Sequence, residues 1–168
     1  MHTLNEHSNE IRHIKNNGQY LASCSNDNTI NIWNNTYQLH RKLTGHNDRV
    51  NDILFLSSNI LMSASNDDYV FIWNLNNGLH SIFRNFQKDI HLIELINEDK
   101  IVCALQNHQT TYYEIQIWNI EPIELRGTLR GHLAPVKFLK VLNNEYLLSL
   151  DEKNTLNIWN LDNLRLEA

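Results

Sequence analysis

Apolar and polar residues alternate along most of this chain with a period of two, the mark of half-buried β-strands. The alternating segments recur in groups. Leu21–Ser25, Leu61–Ser65, Ile101–Ala104 and Leu147–Leu150 each predict a strand. Each is followed by an Ile-rich run that ends in tryptophan: Thr29–Trp33, Tyr69–Trp73, Glu114–Trp118 and Thr155–Trp159. Turn-forming clusters precede the first set at Asn16-Asn17-Gly18, Ser57-Ser58-Asn59, Asn97-Glu98-Asp99 and Asn143-Asn144. After each tryptophan comes an asparagine, a polar turn and one more apolar stretch, such as Leu39–Leu43. Ile90–Ile96 has an ambiguous period, and its place in the sequence of segments favours a strand over a short helix.

These groups are repeats. All four tryptophans of the protein occupy the same place in the pattern, 40, 45 and 41 residues apart. A period of 20–50 residues means repeat architecture, and four strands per period predict four antiparallel sheets. The repeats run over about residues 5–44, 45–84, 85–130 and 131–168, within one domain covering 1–168.

On these residues the sequence resembles the WD-repeat β-propeller family. Gly45-His46 and Gly131-His132 match the family's Gly-His opening, Glu6-His7 keeps the histidine, and Asn85-Phe86 in the third repeat lacks it. The closing dipeptide is Trp-Asn throughout in place of Trp-Asp. The resemblance implies an all-β fold of four-stranded propeller blades. It also implies a buried side-chain network in each blade: His7, Ser23, Asp27 and Trp33 in the first, and His46, Ser63, Asp67 and Trp73 in the second. In the fourth it implies His132, Ser149 and Trp159, with Lys153 where the aspartate belongs and Asp151 two residues early. The third keeps Trp118, with Cys103 in the hydroxyl slot. Blades of this kind resemble those that build rings of about seven, so four are expected to form an incomplete ring or half of an assembled one. Met1–Leu4 aligns with the end of a fourth strand, and Leu164–Ala168 supplies a short one for the last blade.

A recurring Ser, His and Asp invites a catalytic reading. A triad needs an exposed nucleophile and an oxyanion hole, and there is no Gly-x-Ser-x-Gly elbow, so these residues are expected to be architectural and the protein not to be an enzyme. The nine histidines include no His-x-His or His-x-x-x-His pair, and the cysteines lie 79 positions apart; no metal site and no cofactor are expected. A net charge of −5 argues against nucleic acid, and no apolar run approaches a membrane span. Composition adds one more feature: 26 asparagines against 5 glycines, a residue that closes tight turns through its own side chain.

The expected function is a non-enzymatic scaffold that binds other proteins in a reducing, cytoplasmic compartment. The face implied by the resemblance holds Asn26, Asn47, Asp48, Arg49, Asn66 and Asp68, together with Tyr112 and Tyr113 in a longer loop of the third repeat. The alternatives are an adaptor or substrate receptor of a larger complex such as a ubiquitin ligase, or a fragment of a longer WD-repeat protein. Against the receptor, no arginine closes the positions Thr36, Asn76, Glu121 and Asp162. A homodimer completing a ring is a further expectation.

Overall fold

The computed structural model describes residues 3–106 and 113–167. These residues form sixteen strands and four antiparallel sheets, each made of four consecutive strands in chain order. Blade 1 contains β1 (Ile11–Asn16), β2 (Leu21–Ser25), β3 (Thr29–Trp33) and β4 (Leu39–Thr44). Blade 2 contains β5 (Val50–Phe55), β6 (Ile60–Ser65), β7 (Tyr69–Asn74) and β8 (His80–Asn85). Blade 3 contains β9 (Asp89–Asn97), β10 (Lys100–Gln106), β11 (Tyr113–Asn119) and β12 (Glu124–His132). Blade 4 contains β13 (Val136–Leu142), β14 (Tyr146–Asp151), β15 (Leu156–Asn160) and the two-residue β16 (Arg165–Leu166). The segment 90–96 lies inside β9, so its repeat position outweighs its mixed period. Of the segment Met1–Leu4, expected to align with the end of a fourth strand, Thr3 and Leu4 belong to no strand, and Met1 and His2 lie outside the described residues. No helix among the described residues is long and apolar enough to cross a membrane.

The chain divides into two compact units, Met1–Gln87 and Lys88–Ala168, each holding two blades. In the first unit, Ala22, Ile30 and Ile32 of blade 1 share a core with Val50, Ile53, Leu61 and Trp73 of blade 2. In the second, Val102, Ile115 and Ile117 of blade 3 share one with Val136, Leu139, Leu147 and Trp159 of blade 4. The equivalent positions are used in both. A strand covered on both faces must be apolar on both, which is why β2, β3, β6 and β10 are almost entirely buried.

Asparagine closes the turns. In blades 1, 2 and 4 the residue after the tryptophan holds the turn that leads to the fourth strand: Asn34 Oδ1 accepts the N–H groups of Thr36 and Gln38, both at 3.0 Å. Asn74 Oδ1 accepts that of Asn76 at 2.9 Å, and Asn160 Oδ1 those of Asp162 and Asn163 at 3.0 and 3.1 Å. Carbonyl and carboxylate oxygens serve equally here, so Trp-Asn does what Trp-Asp does, without the charge. Asn28, Asp68 and Asn154 take the left-handed conformation in the turns between the second and third strands, with φ of 67°, 70° and 65°.

The Gly-His opening also has a steric reason. A Cβ on Gly45 would lie 2.9 Å from the His80 ring and 3.1 Å from the Trp73 indole, and one on Gly131 would lie 3.1 Å from the Trp159 indole. The chain must pass edge-on to a rigid ring, and only glycine is thin enough. Gly45→Ala is therefore expected to destabilise the protein by about 1–3 kcal/mol, the range for overpacking, read from urea unfolding. An unchanged midpoint would contradict this account of the contact.

Candidate functional site

The loop before each blade's first strand is tied down by side chains, and the ties begin at the tryptophan. An indole N–H can only donate. In blade 2 the Trp73 N–H donates to Ser63 Oγ at 2.7 Å, and the hydroxyl lies 2.6 Å from His46 Nε2. The Asp67 carboxylate can only accept, so Nδ1–H donates to Asp67 Oδ2 at 2.8 Å. With the ring proton on Nδ1, Nε2 accepts the hydrogen of the Ser63 hydroxyl. All four groups therefore point one way, from indole to carboxylate. Ser63 is fully buried, and the imidazole stacks on Phe71, which stacks in turn on His80, each pair at 4.3 Å between ring centres.

Blade 1 repeats the chain with Trp33, Ser23, His7 and Asp27 at 3.3, 2.8 and 3.0 Å. In blade 4 Trp159, Ser149 and His132 are joined at 2.6 Å each, and the chain ends on Asp151 at 3.0 Å. This corrects the expectation that Lys153 leaves the aspartate position vacant. Asp151 lies at the end of β14, in the position of Ser25 and Ser65, two residues from Ser149 and so on the same face. In blades 1 and 2 those serines accept the N–H of the network aspartate at 3.0 and 3.1 Å. The Asp151 carboxylate performs both tasks: Oδ1 takes the N–H of Lys153 at 3.0 Å while Oδ2 reaches the histidine.

Blade 3 holds its loop by charge instead. Glu114 at the top of β11 takes Lys88 of the incoming loop at 2.8 Å and Arg130 of β12 at 2.8 Å. Trp118 gives its N–H to Gln116 Oε1 at 3.1 Å. Sequence reading missed this triad because its residues are 26 and 16 positions apart and belong to no motif.

Burial pushes the network carboxyls up, and the hydrogen bonds outweigh it. Asp27 receives the Thr29 hydroxyl, the Ser8 N–H and His7, and is held down at about 2 against an ordinary 3.8. Asp67 and Asp151 are likewise held below the ordinary range, Asp67 by His46 above all and Asp151 by the Thr155 N–H and then His132. Burial and then the nearby Asp52 push the Cys24 thiol up to about 12, so it remains protonated and unreactive.

The serine oxygens are thus buried, each held between an indole and an imidazole. What the network leaves outside is the turns it secures. Asn47 and Asp48 are exposed, and Arg49 is half-buried. Asn66 joins them, its N–H donating to the Arg49 carbonyl at 3.2 Å, while Asn51 donates to Asn66 Oδ1 at 2.5 Å. Asp68 follows in the same turn, and Asn26 holds the equivalent turn of blade 1, donating to Glu10 at 3.1 Å. Tyr113 is the half-buried first residue of β11. Tyr112 lies outside the described residues. Among the described residues no group of three or more His, Cys, Asp and Glu is placed to hold a metal ion.

Comparison with known proteins agrees with this geometry. The family model for the WD domain, G-beta repeat, matches residues 1–34 and 37–74. No curated protein matches the chain. Among solved structures the chain is similar to the WD40 β-propeller domain of Doa1, with a TM-score of 0.88 and 22% identity over 100% of this chain and 55% of that one. It is also similar to the computationally designed Ika4 protein (TM-score 0.76, 24% identity, 94% of this chain and 95% of that one). The computationally designed Ika8 protein gives 0.75 and 22%, over 92% of this chain and 47% of that one. At these identities the likeness is one of fold. The chain spans about half the length of the Doa1 structure.

Two outcomes follow from the network. Trp73→Phe keeps most of the apolar bulk and leaves Ser63 short of its donor, at an expected cost of about 1–3 kcal/mol. Trp118→Phe is expected to cost less, since its half-buried acceptor Gln116 has solvent to turn to; equal losses in denaturant melts would contradict the assigned bonds. The second outcome concerns pH. A carboxyl held below its unfolded value stabilises the fold above that value and loses its contribution as pH falls through the folded one. The advantage of the native protein over Asp27→Asn is therefore expected to be full above about pH 5 and to shrink between about pH 4 and pH 2, measured by urea midpoints. A constant difference down to pH 2 would refute it.

Proposed function

We propose that this chain, whose residues 1–34 and 37–74 match the WD-repeat family model and whose four blades share one strand order, is a non-enzymatic protein-interaction module. The observation that carries this reading is the division of labour in each blade. The groups that resemble catalytic ones are buried and occupied, while the turns they secure carry the exposed Asn47 and Asp48 and the half-buried Asn26, Arg49, Asn66 and Asp68. Asn26, Asn47, Asp48, Arg49, Asn66 and Asp68 gather donors, acceptors and both signs of charge on turns held rigid from below. That is what protein recognition requires: groups fixed in place at little entropic cost on binding. Tyr113 is a further candidate for contact, as tyrosine is favoured in interfaces.

The partners are other proteins, with neither nucleic acid nor membrane among the ligands, in keeping with the net charge of −5. The two free, buried thiols suit a reducing compartment such as the cytoplasm. Because the chain spans about half of the Doa1 structure, work as an adaptor within a larger complex, or as part of a longer WD-repeat protein, is the second reading.

The test is affinity purification from the native cell with the intact chain and with Asn47→Ala, Asp48→Ala and Arg49→Ala combined. These side chains are exposed or half-buried, so the variant is expected to fold and to lose at least one protein that the native chain recovers. Recovery of the same proteins in the same amounts would refute this face as the binding surface.

A further inference from the structure

Blades 1 and 3 carry different chemistry at two equivalent positions, both at the end of the sheet away from the incoming loop. Lys100 directly precedes Ile101, which lies opposite Trp118, as Tyr20 directly precedes Leu21, which lies opposite Trp33. The fourth strands bulge at the same place. Gly127 lies opposite Ile117 and Leu125 opposite Trp118, which leaves Arg126 as the extra residue; in blade 1 the extra residue is His40, between Leu39 and Arg41. A bulge takes its extra residue out of the ladder and re-aims the side chain. In blade 1 the two side chains meet, the rings of Tyr20 and His40 stacking at 5.0 Å between centres. In blade 3 the same two positions hold an ammonium and a guanidinium, which repel one another.

Both cations line a cavity of about 190 Å³ in the second unit, where turns of blade 4 meet blade 3. Its apolar lining includes the buried Ile96 and Ile117 and the half-buried Leu164, and the exposed Asp162 stands beside them. Leu164 occupies the space that a side chain on Gly127 would take, and it does so in the left-handed conformation, φ 60°. A leucine is held in that conformation only where its surroundings over-determine it, and such residues gather at ligand clamps.

The cations of this cavity lack a full counter-charge. Of the seven lysines in the chain, Lys42, Lys88, Lys137 and Lys140 are bonded to Glu6, Glu114, Asn154 and Glu94, and Lys15 is engaged as well. Lys153 is exposed to water. Lys100 is half-buried and forms no ion pair or hydrogen bond of its side chain among the described residues. Arg126 has Glu124 at 3.9 Å, with both side chains more than half exposed, and Asp162 pairs with neither cation. A partly desolvated ammonium recovers its lost hydration from an anion.

We propose that this cavity takes the acidic side chain of a partner protein, its carboxylate held by Lys100 and Arg126 and its methylenes against Ile96 and Ile117. Size argues for a protein side chain, since pockets for small-molecule ligands run to about 300–1,000 Å³ and this one is smaller. Charge argues for a carboxylate. Two cations and the Asp162 carboxylate leave the lining with one net positive charge, which a single carboxylate neutralises and a phosphate dianion exceeds. The guanidinium and the ammonium supply charge-assisted hydrogen bonds, the strongest kind available to a side-chain carboxylate. The proposal rests on the reading of this chain as an interaction module, and gives it a second contact at the other end of a blade from the incoming loops.

The experiment follows the amide resonances of the isotope-labelled intact chain by NMR during titration with a capped peptide carrying one glutamate between two leucines. A second peptide has glutamine in place of the glutamate. The first is expected to shift the amides of Asn97, Lys100 and Asp162 with a Kd of about 1 mM or below. The second is expected to bind about tenfold or more weakly, having lost its charge-assisted bonds. Lys100→Met and Arg126→Gln are each expected to weaken the glutamate peptide by about tenfold, with unchanged circular dichroism. Lys100→Tyr combined with Arg126→His installs the ring pair of blade 1, and is expected to fold and to abolish binding. Equal affinity for the two peptides on the native chain overturns the proposal, whether or not a variant folds. So do shifts confined to other residues, no shift at about 10 mM peptide, or the same shifts produced by inorganic phosphate at equal concentration. A failed titration leaves the turn face standing. Unchanged recovery of partners by the Asn47, Asp48 and Arg49 variant refutes that face and leaves the titration as it is.

Discussion

A buried indole N–H needs an acceptor, and in three of the four blades that need organises everything above it. The tryptophan earns its place in the core by its apolar area, but its one polar group must be met inside the protein. A serine two strand positions deep can meet it, and the serine's hydrogen then has to go to an imidazole. The imidazole's remaining proton has to go to a carboxylate, which lies in the turn in blades 1 and 2 and at the end of β14 in blade 4. The result is a chain of four groups with one permitted direction, anchoring the entry loop of a blade to the centre of its sheet. Each bond contributes about 1 kcal/mol, while an orphaned member costs more, so the chain serves to fix one arrangement of loop and strand rather than to add stability.

The departures from this arrangement show which part is indispensable. Blade 4 moves the carboxylate two residues back along the strand and keeps the chain, because a side chain two positions away on a strand remains on the same face. Blade 3 gives up serine, histidine and aspartate together. There Glu114, Lys88 and Arg130 tie the entry loop to the top of β11, and Gln116 takes the indole proton. Two unrelated chemistries thus secure the same loop. The constraint is that the loop be secured, and the hydrogen-bonded chain is one way of doing it.

The same economy shapes the surface. The turns are closed by asparagine side chains accepting from the backbone two residues ahead, and by left-handed residues that asparagine and aspartate tolerate. Turns fixed in this way, on strands fixed by the network below, present polar groups in constant positions, the property on which the proposed role as an interaction module rests.

Strand positions, the fourfold repeat and the equivalence of the four tryptophans were legible in the sequence, since period-two alternation and the turn-forming asparagines are local properties. So were the members of the network in blades 1 and 2, where each residue stands at its usual spacing. Tertiary structure alone decided the rest. Counting along the chain assigned Lys153 to the aspartate position; strand pairing, which sets the face each side chain occupies, gave it to Asp151. The Glu114 triad became visible only when folding brought residues 88, 114 and 130 together, because ion pairs need proximity in space and leave no spacing to read. The exposure of Leu156 was equally hidden: as a residue type it matches Ile30 and Ile115, which are buried at the equivalent pairing position, and burial depends on what folding places against a side chain.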